Sequence, residues 1–202
     1  MPINAQGYLQ HIRQYLNLAK YGEVCSFSEK LDARENELII SEKVENSKKR
    51  IKIKLIYQGD VVAIKLDKCV DPLFHFLDTP NRPWAKRCDF VIFHCKNTSL
   101  NAYCIEFKQA ENFIPVNDVM LQLNAGAAWV KCLNKIIGAY TGVSRPIRIS
   151  KYLFTGCVKP APDLDDTGKY LRAYPSIRHY LFSEVNGMSL EALENQCVDT
   201  VS

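Results

Sequence analysis

The stretch RCDFVIFHCKNTSLNAYCIEFKQ, residues 87–109, reads as two apolar strands around a polar loop. Strand side chains alternate between faces. In AYCIEFK this puts Ala102, Cys104, Glu106 and Lys108 on one side and Tyr103, Ile105 and Phe107 on the other. Asp89 opens the neighbouring strand, CDFVIF. Pairing of the two as a hairpin across HCKNTSLN brings Asp89 near Glu106 and Lys108 at one end of a sheet. Packing gives no reason for three charges in so apolar a setting, so the chemistry is expected there. Two carboxylates that close repel each other, and a divalent cation between them relieves the repulsion. Few hard oxygen ligands suit Mg²⁺ or Mn²⁺, with water and a phosphate completing the coordination. A neighbouring ammonium group orients the attacking water or stabilises charge developing on the phosphate.

Upstream, residues 5–20 carry Tyr8, Ile12, Tyr15, Leu16 and Ala19 at helical spacing. ENELIISEKV and KRIKIKLIYQ read as strands around the turn ENSKK. In the second, Ile51, Ile53 and Leu55 alternate with Lys52 and Lys54, giving one apolar and one basic face. GDVVAIKLDK follows a tight Gln58-Gly59 turn, and the three strands are expected to form one antiparallel meander. The segment 71–87 holds three prolines and breaks regular structure. Downstream, Asp118 is placed to cap a helix through VMLQLNAGAAWVKCLNKII, apolar nearly all round. SKYLFTGCV and RHYLFSEVNG read as further strands, KPAPDLDDTGK as a solvated loop, and Ser189 as the cap of a short closing helix. Strands followed by a helix and another strand point to an α/β fold with a mixed central sheet flanked by helices.

The chain has 202 residues, 47% of them hydrophobic and 24% charged, with a net charge of +4. That is ordinary for a soluble globular protein of one domain, and it permits a polyanionic partner without demanding one. The first twenty residues lack the apolar run of a leader, and no stretch approaches a membrane span, so the expected location is cytoplasmic, with no membrane partner. The eight cysteines include no C-x-x-C pair and are expected as free thiols. A zinc site from Cys88, His94, Cys95 and Cys104 would lack paired ligand spacing.

RCDF…CIEFK resembles the motif of the PD-(D/E)XK nuclease superfamily, which includes restriction, repair and anti-phage nucleases. The matching positions are Asp89, Glu106 and Lys108; no proline precedes Asp89. The resemblance implies a restriction-endonuclease-like core over residues 5–160, followed by a C-terminal strand and short helix at 176–202. It implies a metal-dependent nuclease cutting phosphodiester bonds, with DNA favoured over RNA. Asp89, Glu106 and the Phe107 backbone carbonyl would hold Mg²⁺ or Mn²⁺, and Lys108 would serve the water or the transition state. Gln122 stands where members often carry a useful polar residue on the following helix. Members also often carry a glutamate on the first helix; Glu23 and Glu29 lie near it, without distinguishing context. Lys86 and Arg87 flank Asp89 and are candidate phosphate contacts. Lys52 and Lys54 are candidates for tracking a nucleic-acid backbone, and Trp84 for stacking on a base. A small nuclease without an evident recognition domain needs control, as a homodimer, within a larger protein assembly, or as effector of a defence or toxin-like system. The alternative is a non-catalytic nucleic-acid- or protein-binding module on the same fold.

Overall fold

The computed structural model describes residues 3–21, 36–44, 48–68, 82–109, 113–156 and 162–201. Glu23, Glu29, His75, Cys25, Cys69 and Cys157 lie outside the described residues. The element order is α1 (Ala5–Tyr15), α2 (Leu18–Tyr21), β1 (Asn36–Lys43), β2 (Arg50–Tyr57), β3 (Asp60–Lys65), β4 (Phe90–Lys96), β5 (Ser99–Lys108), α3 (Val116–Thr141), β6 (Ile147–Thr155), β7 (Ile177–Leu181), α4 (Phe182–Val185) and β8 (Asp199–Val201).

The hairpin at 87–109 forms, with a tighter turn than the polar loop suggested. Pairing runs from Phe90↔Ile105 to Lys96↔Ser99 and leaves only Asn97 and Thr98 between the strands. Asn97 takes φ 57°, a left-handed conformation that asparagine tolerates and hairpin turns require. β3 pairs antiparallel with β4, β6 runs parallel to β5, and β7 runs parallel to β6. β8 runs antiparallel to the first residues of β6. The result is a mixed six-stranded sheet in the order β3-β4-β5-β6-β7, with β8 beside β6.

β1 and β2 form a separate two-stranded sheet, not the first part of a meander with β3. The burial of the strands explains the difference. β3 buries Val61, Val62, Ala63 and Ile64 on both faces, so it needs cover on both sides. β1 and β2 are apolar on one face only. Their inner residues Leu38, Ile40, Ile53 and Leu55 pack on Ala63, Ile92, Ile105 and Phe154 of the central sheet. Between the two sheets the chain turns at Gly59, φ +83°, where a side chain would strike the Cys95 carbonyl. The hairpin is stitched to the C-terminal segment by Ile56 N–H to the Met188 carbonyl (2.9 Å) and Gly187 N–H to the Lys54 carbonyl (2.7 Å).

The opposite face of the central sheet is covered by α1 and α3 through Tyr8, Leu9, Ile12, Leu123, Ala127 and Val130. Asn4 caps α1, its Oδ1 accepting from Gly7 N–H at 2.7 Å. α1 ends at Tyr15; Tyr8, Ile12 and Leu16 are buried, whereas Tyr15 and Ala19 are exposed. α3 starts after Pro115, with no side-chain cap; Asp118 is its third residue, and its carboxylate is taken up by lysines. α3 is buried along one side, whereas Ile136 and Tyr140 of the outer side are exposed. Ser189 caps a single 3₁₀ turn, Leu190–Ala192, through Ala192 N–H. Among the described residues no helix is long and apolar enough to cross a membrane.

Gly126 of α3 packs tightly on the sheet and the segment before β4: an added Cβ would overlap Cys88 Sγ and lie 3.6 Å from Cys104 Sγ. Gly126→Ala gains ~1 kcal/mol of helix propensity but overpacks a buried contact at a cost of ~1–3 kcal/mol. Urea unfolding is expected to show a net loss. Adding Cys88→Ala, which removes the clashing sulfur, is expected to recover most of it.

Candidate functional site

Beyond Phe90↔Ile105 the next facing residues are Asp89 and Glu106, and here side chains take over from the ladder. Phe107 N–H donates to Asp89 Oδ2 at 2.6 Å, and Asp89 N–H donates to Glu106 Oε2 at 3.2 Å. Each carboxylate is thus held by the backbone of the opposite strand. Both are buried, Asp89 at 9% and Glu106 at 1% exposure. Strand alternation puts them on the face covered by α1 and α3. Lys108, two residues on, folds back to Glu106 Oε1 at 2.6 Å and donates to Gln122 Oε1 of α3 at 2.9 Å. Asp118, one helical turn before Gln122, lies 3.5 Å from the Lys108 ammonium and 2.8 Å from that of Lys86. The register and α3 therefore gather Asp89, Glu106, Lys108 and Gln122, the four catalytic candidates drawn from the sequence.

Phe107 sends its ring to the other face, onto Phe90, Phe154 and Phe182. Lys86 is tied to the site through Asp118, and Arg87 is half-buried beside it in sequence. Lys52 and Lys54 are not brought to the carboxylates. They occupy the outer face of the β1–β2 hairpin, where Lys54 pairs with Glu37 at 3.1 Å. Trp84 is partly exposed, with Arg82 stacked over its ring. His94 and Cys95 point to opposite faces of β4. His94 bonds the Gln58 carbonyl at 2.7 Å, and among the described residues no group of three potential ligands includes a cysteine.

Two further carboxylates join the site. Glu42 ends the inner face of β1, and Asp67 lies in the 3₁₀ turn after β3. Oxygens of Glu42, Asp67 and Asp89 all fall within 4.8 Å of one another. Lys65 forms ion pairs with Glu42 and Asp67 while lying over the Phe90 ring. The signal for Glu42 was in the sequence. In ELIISEK the core-facing positions run Leu38, Ile40, Glu42, and an acid at the third of these needs a reason. Asp67 carried no such mark.

Five carboxylates (Glu42, Asp67, Asp89, Glu106, Asp118) thus meet three ammonium groups (Lys65, Lys86, Lys108). Burial pushes Asp89 up to about 7. The Phe107 N–H opposes the rise, and the charges of Asp67 and Glu42 add to it. Glu106 is pushed up to about 8 by burial and by Asp89, with Lys108 opposing. Burial pulls the Lys108 ammonium down, but Glu106, Asp118 and Asp89 outweigh this and its pKa is raised. Carboxylates held this way favour either a proton or a cation. The donor set is all oxygen, which fits a hard divalent ion. No family model matches this chain, and no curated protein or solved structure matches it either.

Because their folded pKa values exceed the unfolded ones, Asp89 and Glu106 retain protons that the unfolded chain releases. Their charging therefore destabilises the fold as pH rises from about 4 toward 8. Burial holds His94 and His179 neutral, which acts in the opposite sense, so the effect is read as a difference between proteins. In EDTA, Asp89→Asn is expected to gain stability relative to wild type between about pH 5 and pH 8, by up to ~1.4 kcal/mol per pH unit. Urea unfolding at fixed ionic strength measures it; a pH-independent difference would mean that Asp89 takes up no proton in that range.

Proposed function

We propose that this protein is a metal-dependent nuclease of the PD-(D/E)XK type. The observation that supports it best is the meeting of Asp89, Glu106 and Lys108, from the start of β4 and the end of β5, in one cluster whose two carboxylates are buried. A helix α1, an antiparallel β3-β4-β5 run, then α3 and a parallel β6 support this reading, because the β4–β5 hairpin and α3 together supply the four side chains. In this reading Asp89 and Glu106 hold Mg²⁺ or Mn²⁺ with the Phe107 carbonyl, and Glu42 and Asp67 are near enough to Asp89 to assist. The ion would supply Lewis acidity toward a phosphodiester oxygen and its attacking water.

The chain's own groups do the rest. Lys108 is paired with Glu106, and from there its ammonium would orient the water or meet the phosphate. Gln122 keeps that ammonium in place through its Oε1. Lys86, exposed beside Asp118, is placed to meet phosphate at the rim, with Arg87 next to it. Lys52 and Lys54, on the outer hairpin face, could serve only a strand that wraps the molecule. One observation favours the alternative of a binding module without catalysis. The Lys108–Glu106 pair already neutralises one carboxylate without any metal.

Single- and double-stranded DNA and RNA, each with Mg²⁺, Mn²⁺ or EDTA, separate the readings. Metal-dependent cutting is expected, DNA before RNA. Glu106→Ala or Lys108→Ala is expected to reduce it ~10²–10⁴-fold with folding retained. A fully active Asp89→Ala, Glu106→Ala double variant would sink the mechanism. Metal binding has its own readout. Mn²⁺ is expected to raise the Tm of wild type more at pH 8 than at pH 6, since protons compete for the same oxygens. Asp89→Asn is expected to lose that shift.

A further inference from the structure

A second site is suggested by the other face of β5. Strand alternation sends Asn101 and Tyr103 away from Glu106 and Lys108, into a cavity of about 600 Å³. Its floor is Asn101 and Tyr103 of β5 with Ser150 and Tyr152 of β6, and its far wall is Leu193–Gln196. The volume is that of a small-molecule site. The β1–β2 hairpin covers the same face of the sheet at the Phe90 and Phe154 end.

The lining has two chemistries. Cations surround it: Lys96, Arg148, Lys169 and Arg178, against Glu191 and Glu194. Lys96 is matched to Glu191 at 3.4 Å. Arg148 and Lys169 are exposed, with no carboxylate in ion-pair range among the described residues. Arg178 is fixed in advance. Its guanidinium lies 4.2 Å from the Tyr180 ring centroid and 5.3 Å from that of Tyr170, and its Nη1 donates to the Lys169 and His179 carbonyls, both at 2.7 Å. A guanidinium so held loses little entropy on meeting an anion, and its remaining N–H groups keep the fork geometry that suits phosphate. The second chemistry is aromatic and amide. Tyr103, Tyr152 and Tyr170 form a largely buried aromatic wall, and the Asn101 side chain offers both a donor and an acceptor. An aromatic wall for a flat ring to lie against, an amide to read a polar edge and three cations for a multivalent anion match one small-molecule class.

We propose that this cavity binds a mononucleotide, with its phosphate at Arg148, Lys169 and Arg178 and its base against the tyrosines and Asn101. This does not depend on the nuclease reading, because the cavity shares no residue with the carboxylate cluster and needs no metal.

Calorimetric titration in EDTA with AMP, GMP, CMP and UMP, beside inorganic phosphate and the free nucleosides, tests it. At least one nucleotide is expected to bind, ~10-fold or more tighter than phosphate or its own nucleoside. Arg148→Ala and Lys169→Ala, both at exposed positions, are each expected to weaken binding ~10-fold, with Asp89→Asn unchanged. No heat from any of the four at about 5 mM overturns the proposal. So does phosphate binding as tightly as the nucleotides, which would make this a plain anion site. Binding lost in Asp89→Asn but kept in Arg148→Ala would put the nucleotide at the carboxylates and overturn it as well.

Discussion

The structure depends on one cross-strand contact. Asp89 and Glu106 face each other where the β4–β5 ladder ends, and each is held by the other strand's backbone N–H. Two carboxylates in a dry place oppose folding, so their surroundings must restrain them. Lys108 closes on Glu106, Gln122 closes on Lys108, and Asp118 joins Lys108 to Lys86. All of this requires α3 to lie close to the sheet. Gly126, set against Cys88 and Cys104, allows that approach. A small residue four positions after Gln122 therefore bears on the charged end of the sheet through helix placement.

The hairpin at 87–109 was legible because its information is local. Period-two alternation gives the faces, and strand pairing gives the meeting of Asp89 with Glu106. The reading failed where a choice was tertiary. β1 and β2 have the same alternating look in either sheet. What separates them from β3 is that Val61 to Ile64 are buried on both faces, which follows from what packs above and below. Asp118 likewise looked like a helix cap because caps are local. Two lysines, one from 22 residues upstream of Lys108, compete for the same carboxylate and win it.

The site divides along the same line. Asp89, Glu106, Lys108 and Gln122 were readable because a charged or amide group interrupts an apolar run in each case. Glu42 interrupts one too, at the inner end of β1. The inner face of that strand acquires meaning only once it lies on the central sheet. Asp67 joins through the fold of the β3 end alone. Lys52 and Lys54 show the converse. A basic stripe is conspicuous in sequence, yet it lies on the outer face of the β1–β2 hairpin, apart from the carboxylates, where Lys54 pairs with Glu37.

β5 lies inside the sheet, between β4 and β6, with both of its faces in use. Toward α3 it presents Glu106 and Lys108, and toward the C-terminal segment it presents Asn101 and Tyr103. The two sets are at most seven residues apart on one rigid strand, since Asn101 to Lys108 span the β5–β6 pairing. Sliding β5 by one residue would exchange its faces, burying Asn101 under α3 and turning Glu106 into the aromatic layer of Phe90, Phe154 and Phe182. The register is thus fixed twice over, by the carboxylate clamp at one end and by the polar cavity at the other. A strand that is wrong on both faces after any slip has one way to pair.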